Sequence, residues 1–104
     1  MSVVTNLVLV FGCGESRGTG LYNESVVKMV NHFFESDDAT FVCVKNTDWY
    51  GGSKHLECGM LIGAFNYFDL GGFLVFLKEK CVWRSPEKVQ VIVKEQEDDR
   101  FRIV

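Results

Sequence analysis

The 104-residue chain lacks the charge and the long apolar run that several protein classes require. The chain has eleven lysines and arginines and fourteen acidic residues, so the net charge is −3. A general nucleic-acid or anionic-membrane binder needs a dense basic surface, and we therefore expect neither partner. The longest mostly apolar stretch, Gly59 to Phe68, is too short to cross a bilayer.

The chain is also poor in the residues that build metal and disulfide sites. Its four cysteines form no CxxC pair. Its two histidines, His32 and His55, do not lie at the distances from the cysteines along the chain that zinc sites require. We therefore predict reduced thiols, no metal and no cofactor. The N-terminus has no basic segment followed by an apolar core, which predicts a cytoplasmic protein.

What the chain does contain is enough apolar material for one core. Apolar residues make up 47% and aromatic residues 13% of the sequence. This length accommodates a single core, so residues 1–104 are predicted to form one domain.

The first half of the chain predicts a strand, a helix and a second strand. Residues 3–11 (VVTNLVLVF) are almost continuously β-forming, which is typical of a strand buried on both faces. Asn23 is a candidate N-cap for a helix over residues 24–35, which carries one apolar stripe. Residues 40–45 (TFVCVK) follow as a short strand.

Residues 54–66 fit two secondary structures. They read as a strand with alternating apolar residues or as a helix capped by Ser53. Gly59 and Gly63 would weaken a helix by about 1 kcal/mol each, which favours the strand.

The second half predicts a helix and two strands. Asp69 is a candidate N-cap for a helix over residues 70–81, and strands follow over 88–95 and 101–104. The order β-α-β-β-α-β-β predicts an α+β fold of the ferredoxin-like, split βαβ type. Its sheet is antiparallel-rich with two helices on one face and an added edge strand.

A glycine-rich turn, GCGESRGTG at residues 12–20, follows the first strand. Backbone N–H groups of such a turn hold anions in phosphate sites, although the strict dinucleotide and Walker spacings fail here. The candidate ligand-binding residues are Gly14, Ser16, Arg17, Gly18 and Thr19. The alternative is a wide connection that only needs positive φ values.

Loop aromatics and acidic residues form a second set of candidates. The layout predicts one rim that carries Trp49, Tyr50, Trp83 and Arg84, while most acids, including Asp98 and Asp99, collect at the opposite end. Aromatic and arginine residues dominate binding energetics, and an acidic cluster can occupy a basic site on a partner, which makes these six residues candidates for partner binding. In the alternative interpretation the tryptophans fold back over the ends of the core.

Taken together, the sequence favours a small non-catalytic binding module, because no set of catalytic side chains is assembled. We expect a regulator or inhibitor that docks onto another protein, with a homodimer through an edge strand as a related possibility. The alternative is a small-ligand or nucleotide-binding protein, or an enzyme, that uses the glycine-rich turn.

Overall fold

The fold is α+β, with a five-stranded antiparallel sheet and two helices, which confirms the predicted class. The computed structural model describes residues 3–12, 24–35, 39–44, 51–54 and 58–104. The elements are β1 (Val4–Gly12), α1 (Glu24–Asn31), β2 (Val42–Cys43), β3 (Cys58–Asn66), α2 (Leu70–Glu79), β4 (Gln90–Glu95) and β5 (Arg102–Ile103), with a 3-10 turn at Pro86–Lys88. None of the described helices has the length and apolar content needed to cross a membrane.

The strand order in the sheet is β2-β3-β1-β4-β5, and every neighbouring pair is antiparallel. β1 is therefore the central strand, with two strands on each side. β2 and β5 lie at the edges and contain two residues each. Because directions alternate, β1, β2 and β5 all begin at one end of the sheet, where β3 and β4 end.

Within the segment that fitted two secondary structures, Cys58–Asn66 forms a strand. Both of its interior glycines lie on the buried face, where Gly59 pairs with Phe11 and Gly63 with Leu7. A Cβ at Gly63 would lie 2.5 Å from the Phe65 ring, closer than van der Waals contact allows. The glycine thus makes room for an aromatic ring.

The two helices end earlier than predicted. Asn31 is the last residue of α1, and its side chain exchanges two hydrogen bonds of 3.0 and 3.1 Å with the backbone of Phe41. α2 begins after Asp69, whose carboxylate accepts a 3.0 Å hydrogen bond from the Gly72 N–H, as the N-cap prediction requires. It ends at Glu79 rather than at residue 81. The predicted cap Asn23 lies outside the described residues.

The core lies between the helices and one face of the sheet. Side chains of β1 alternate between buried and half-buried, and the buried set packs with residues of both helices into one apolar cluster. That cluster contains Leu7, Leu9, Phe11, Val26, Val30, Phe73 and Leu77 among others. Phenylalanine rings fill its end near β2, with Phe34 and Phe41 both about 5 Å from Phe65 between centroids.

One prediction about β1 is wrong. Its near-continuous apolar sequence predicted burial on both faces, but the side chains that point away from the helices are only half-buried. No described helix lies over that side of the sheet, which we call the open face.

Candidate docking surface

The open face carries a row of branched aliphatic side chains that crosses all five strands. Antiparallel partners place their side chains on the same face of a sheet, so the register identifies the members of the row. They are Val42, Ile62, Val8, Ile92 and Ile103, in the order of the strands from β2 to β5, and we call them the central row.

Three members of the central row are well exposed. Val42 exposes 62% of its surface, Ile62 43% and Ile103 65%. Exposed single aliphatic residues are common, but an unbroken row over a whole sheet is a contiguous apolar patch, and such patches mark interaction sites.

The rows on either side of the central row are less apolar. One contains Met60, Val10 and Gln90, and the other contains Ala64, Asn6 and Lys94. Asn6 is held in place because its side-chain N–H donates to the Lys94 carbonyl at 3.1 Å. Lys94 is the only charged side chain that the described strands place on the open face.

A shallow depression of about 520 Å³ lies on this face. Thr40, Val42, Ile62, Ala64, Asn6, Val8 and Phe101 are among the residues that line it. Phe101 is 48% exposed, so a large aromatic side chain stands beside an apolar hollow. Aromatic anchors next to apolar pockets are typical of protein interfaces.

Several predicted site residues lie outside the described residues. They are Gly14, Ser16, Arg17, Gly18 and Thr19 of the glycine-rich turn, together with Trp49 and Tyr50. The ligand-binding prediction for that turn and the partner-binding prediction for Trp49 and Tyr50 therefore stay predictions.

Trp83 packs against the end of the core. Its ring centroid lies 5.9 Å from that of Phe11, and its indole N–H donates to the Leu77 carbonyl at 3.1 Å. These contacts support the interpretation in which the tryptophan folds back on the core. Its ring also borders a hollow of about 540 Å³ between α2 and β4. The neighbouring Arg84 is exposed.

Asp98 and Asp99 are in different environments. Asp98 accepts a 3.0 Å hydrogen bond from the Glu95 N–H and pairs with Arg102, which also reaches Glu95 at 3.3 Å. The Glu95 N–H and the Arg102 charge lower the pKa of the Asp98 carboxyl. Asp99 is 89% exposed and has a looser contact of 3.7 Å with Arg100. Asp98 therefore stabilises the β4–β5 turn, whereas Asp99 is accessible.

The described charges are separated along the strand direction. At the end where β1 begins, which we call the acidic pole, six acids accompany three bases: Glu35, Asp69, Glu95, Glu97, Asp98 and Asp99 with Lys94, Arg100 and Arg102. At the other end, the basic pole, five bases accompany two acids: Lys54, Lys78, Lys80, Arg84 and Lys88 with Glu79 and Glu87. The two poles lie at opposite ends of the open face.

Metal-ligating side chains do not converge within the described part of the chain. Among the residues that the structure describes, no group of three or more His, Cys, Asp or Glu side chains is placed to hold a metal ion.

Comparison with known proteins leaves the assignment to the structure. The chain gives no significant match to protein-family models, to curated proteins or to solved structures.

The sequence pattern alone does not reveal the central row. It assigns Val8, Ile62 and Ile92 to strands without a function. The available signal is the presence of apolar residues at both odd and even positions of β1, a pattern typical of strands covered on two sides. In this structure the described helices cover only one of those sides.

Proposed function

We propose that this chain is a small, non-catalytic binding module that docks onto another protein chain through the open face of its sheet. The observation that carries the proposal is the central row, an apolar strip that spans five strands and is covered by no described helix. The row offers burial of apolar surface, which drives most protein association.

A regulator or inhibitor that acts by docking needs a surface of this kind and no catalytic side chains. Arg84 and Asp99 remain proposed partner contacts, since they are accessible charged residues near opposite ends of the face. We also propose the ferredoxin-like split βαβ layout as the fold type, supported by the position of β3 between β1 and β2. The proposed compartment is the cytoplasm, where thiols such as Cys43, Cys58 and Cys81 stay reduced.

Affinity capture with matched variants tests the docking surface. Tagged wild type, Ile62→Lys, Val42→Lys and a control, Val75→Lys, are expressed in the native cell and cross-linked, and the captured chains are identified by mass spectrometry. Val75 is 53% exposed but lies on α2, in the helix layer.

We expect wild type and Val75→Lys to capture the same chains, an untagged copy of the protein included. Both open-face variants should lose them, because a lysine in the row leaves a charge without a partner in an apolar contact. Circular dichroism checks that each variant is folded. If folded Ile62→Lys and Val42→Lys capture the same chains as wild type, the open face is not the docking surface.

A further inference from the structure

We infer that the chain covering the open face is a second copy of this protein, packed sheet against sheet. The inference rests on the proposed function, since it names the partner of the same surface. Three properties of the face support it: its area, its lack of opposing charge and the separation of charge between the poles.

The area of the face suits a weak dimer. Five strands about 4.8 Å apart span roughly 20 Å, and the nine residues of β1 extend about 30 Å. β3 is as long as β1, but β4 has six residues and the edge strands have two each, so the face offers roughly 450 Å² on each copy. A face-to-face dimer therefore buries about 900 Å², which is the size of a weak, concentration-dependent association. The alternative dimer would join the edge strands of two copies. Those strands, β2 and β5, have two residues each and supply few backbone hydrogen bonds.

A two-fold axis makes the central row complementary to itself. In an isologous dimer the same patch meets itself. When the axis runs across the strands above the central row, each member of the row faces its own equivalent in the second copy. Branched aliphatic side chains then pack on one another at the usual sheet separation of about 10 Å.

The charges of the described residues favour this axis over one parallel to the strands. An axis across the strands places the acidic pole of one copy over the basic pole of the other. An axis along the strands would superimpose the two acidic poles, which carry like charge. Complementary potentials orient an encounter and suppress wrong arrangements. Lys94, the one charged side chain on the described open-face strands, then lies opposite Gln90 of the second copy in the adjacent row.

Sedimentation equilibrium over a range of protein concentrations tests the dimer. We expect wild type and Val75→Lys to associate to dimers with equal dissociation constants. Ile62→Lys should raise that constant at least about a hundredfold, because two isoleucines leave the apolar contact and two lysines face each other. If wild type is monomeric at every concentration, the inference that a second copy covers the open face is wrong. The capture experiment would still decide whether the face docks onto a different protein, so the two failures are distinguishable.

Pyrene fluorescence tests the direction of the axis. The label is attached to Ile103→Cys in a chain that also carries Cys13→Ser and Cys58→Ser. With the axis across the strands the two labels face each other and give excimer emission. With the axis along the strands, each label lies near Val42 of the second copy instead. The two labels are then about 20 Å apart across the sheet. Dimers that show monomer emission alone would contradict the proposed arrangement.

Discussion

At Gly63, a missing side chain determines how the aromatic core packs. The Phe65 ring occupies the space that a Cβ would need, and Phe41 lies 3.3 Å from the same position. Both rings belong to a tightly packed cluster, so neither has room to move.

We therefore expect Gly63→Ala to lower the free energy of unfolding by about 1–3 kcal/mol, the usual range for overpacking a core. Denaturant titration measures this change. Gly51→Ala is the control, because a Cβ there would meet no atom within 4 Å. Equal stabilities for the two variants would mean that the ring positions at Phe65 and Phe41 are wrong.

Cys81 shows how burial controls a reactive group. Burial raises the pKa of its thiol from 9.0 to about 11, since the thiolate is poorly solvated there. The folded state therefore holds this proton more tightly than the unfolded chain does. Its contribution to stability is complete below pH 9 and is lost as the pH rises towards 11.

The same shift predicts slow alkylation of Cys81. At pH 8 its thiolate fraction in the folded protein should be about a hundredfold smaller than in the unfolded chain, because the pKa differs by two units. Iodoacetamide labelling followed by peptide mass spectrometry measures the rate, and the same reaction in urea provides the reference. Equal rates with and without urea would show that this thiol is not buried.

Among the elements, α2 contains two adjacent glycines with opposite roles. A Cβ at Gly71 would meet no atom within 4 Å, whereas a Cβ at Gly72 would overlap the capping carboxylate of Asp69. The first glycine only weakens the helix, and the second allows the N-cap to form.

Gly71→Ala should therefore stabilise the protein by about 0.5–1 kcal/mol, the helix propensity difference between the residues. Gly72→Ala should give no such gain, because the loss of the cap costs about 1 kcal/mol. Thermal unfolding of the two variants beside wild type measures the difference. A similar gain from both would show that Asp69 does not cap the helix.

The β4–β5 hairpin depends on Asp98 and not on Asp99. Replacing Asp98 with alanine removes the acceptor for the Glu95 N–H and one of the two acidic partners of Arg102. We expect the Val104 amide, which donates to the Val91 carbonyl at 2.9 Å, to exchange its hydrogen several-fold faster. Asp99→Ala is the control and should leave the rate unchanged.

The pH dependence of this hairpin follows from the lowered pKa of Asp98. A group whose folded pKa lies below its ordinary value of 3.8 stabilises the fold above that pH, and the contribution is lost as the pH falls further. Nuclear magnetic resonance of the Glu95 amide follows this titration. A midpoint at the ordinary value would show that the contacts around Asp98 do not form in solution.

For the whole molecule, association through the open face links thermal stability to concentration. Binding of a second copy to the folded state alone stabilises it by mass action. A hundredfold increase in protein concentration should raise the Tm of wild type by several degrees and leave that of Ile62→Lys unchanged. A wild-type Tm that does not depend on concentration would contradict the dimer.

The sequence by itself determined most of the elements and the buried sides of β4 and of the two helices. The alternation of apolar residues in β4, the apolar stripes of the two helices and the Asp69 cap are local patterns, and each reflects the geometry of its own element. The α+β class follows from their order.

Tertiary structure alone decided the rest. From the sequence, Gly63 only weakens a strand, whereas in the structure the Phe65 ring occupies the space beside it. From the sequence, Asp98 is an exposed acid, whereas in the structure the turn brings the Glu95 N–H and Arg102 to its carboxylate. The central row is assembled from five strands distributed over residues 8–103, so no local window contains it. Local patterns specify which way a side chain faces on its own element, whereas strand order and register specify which side chains become neighbours.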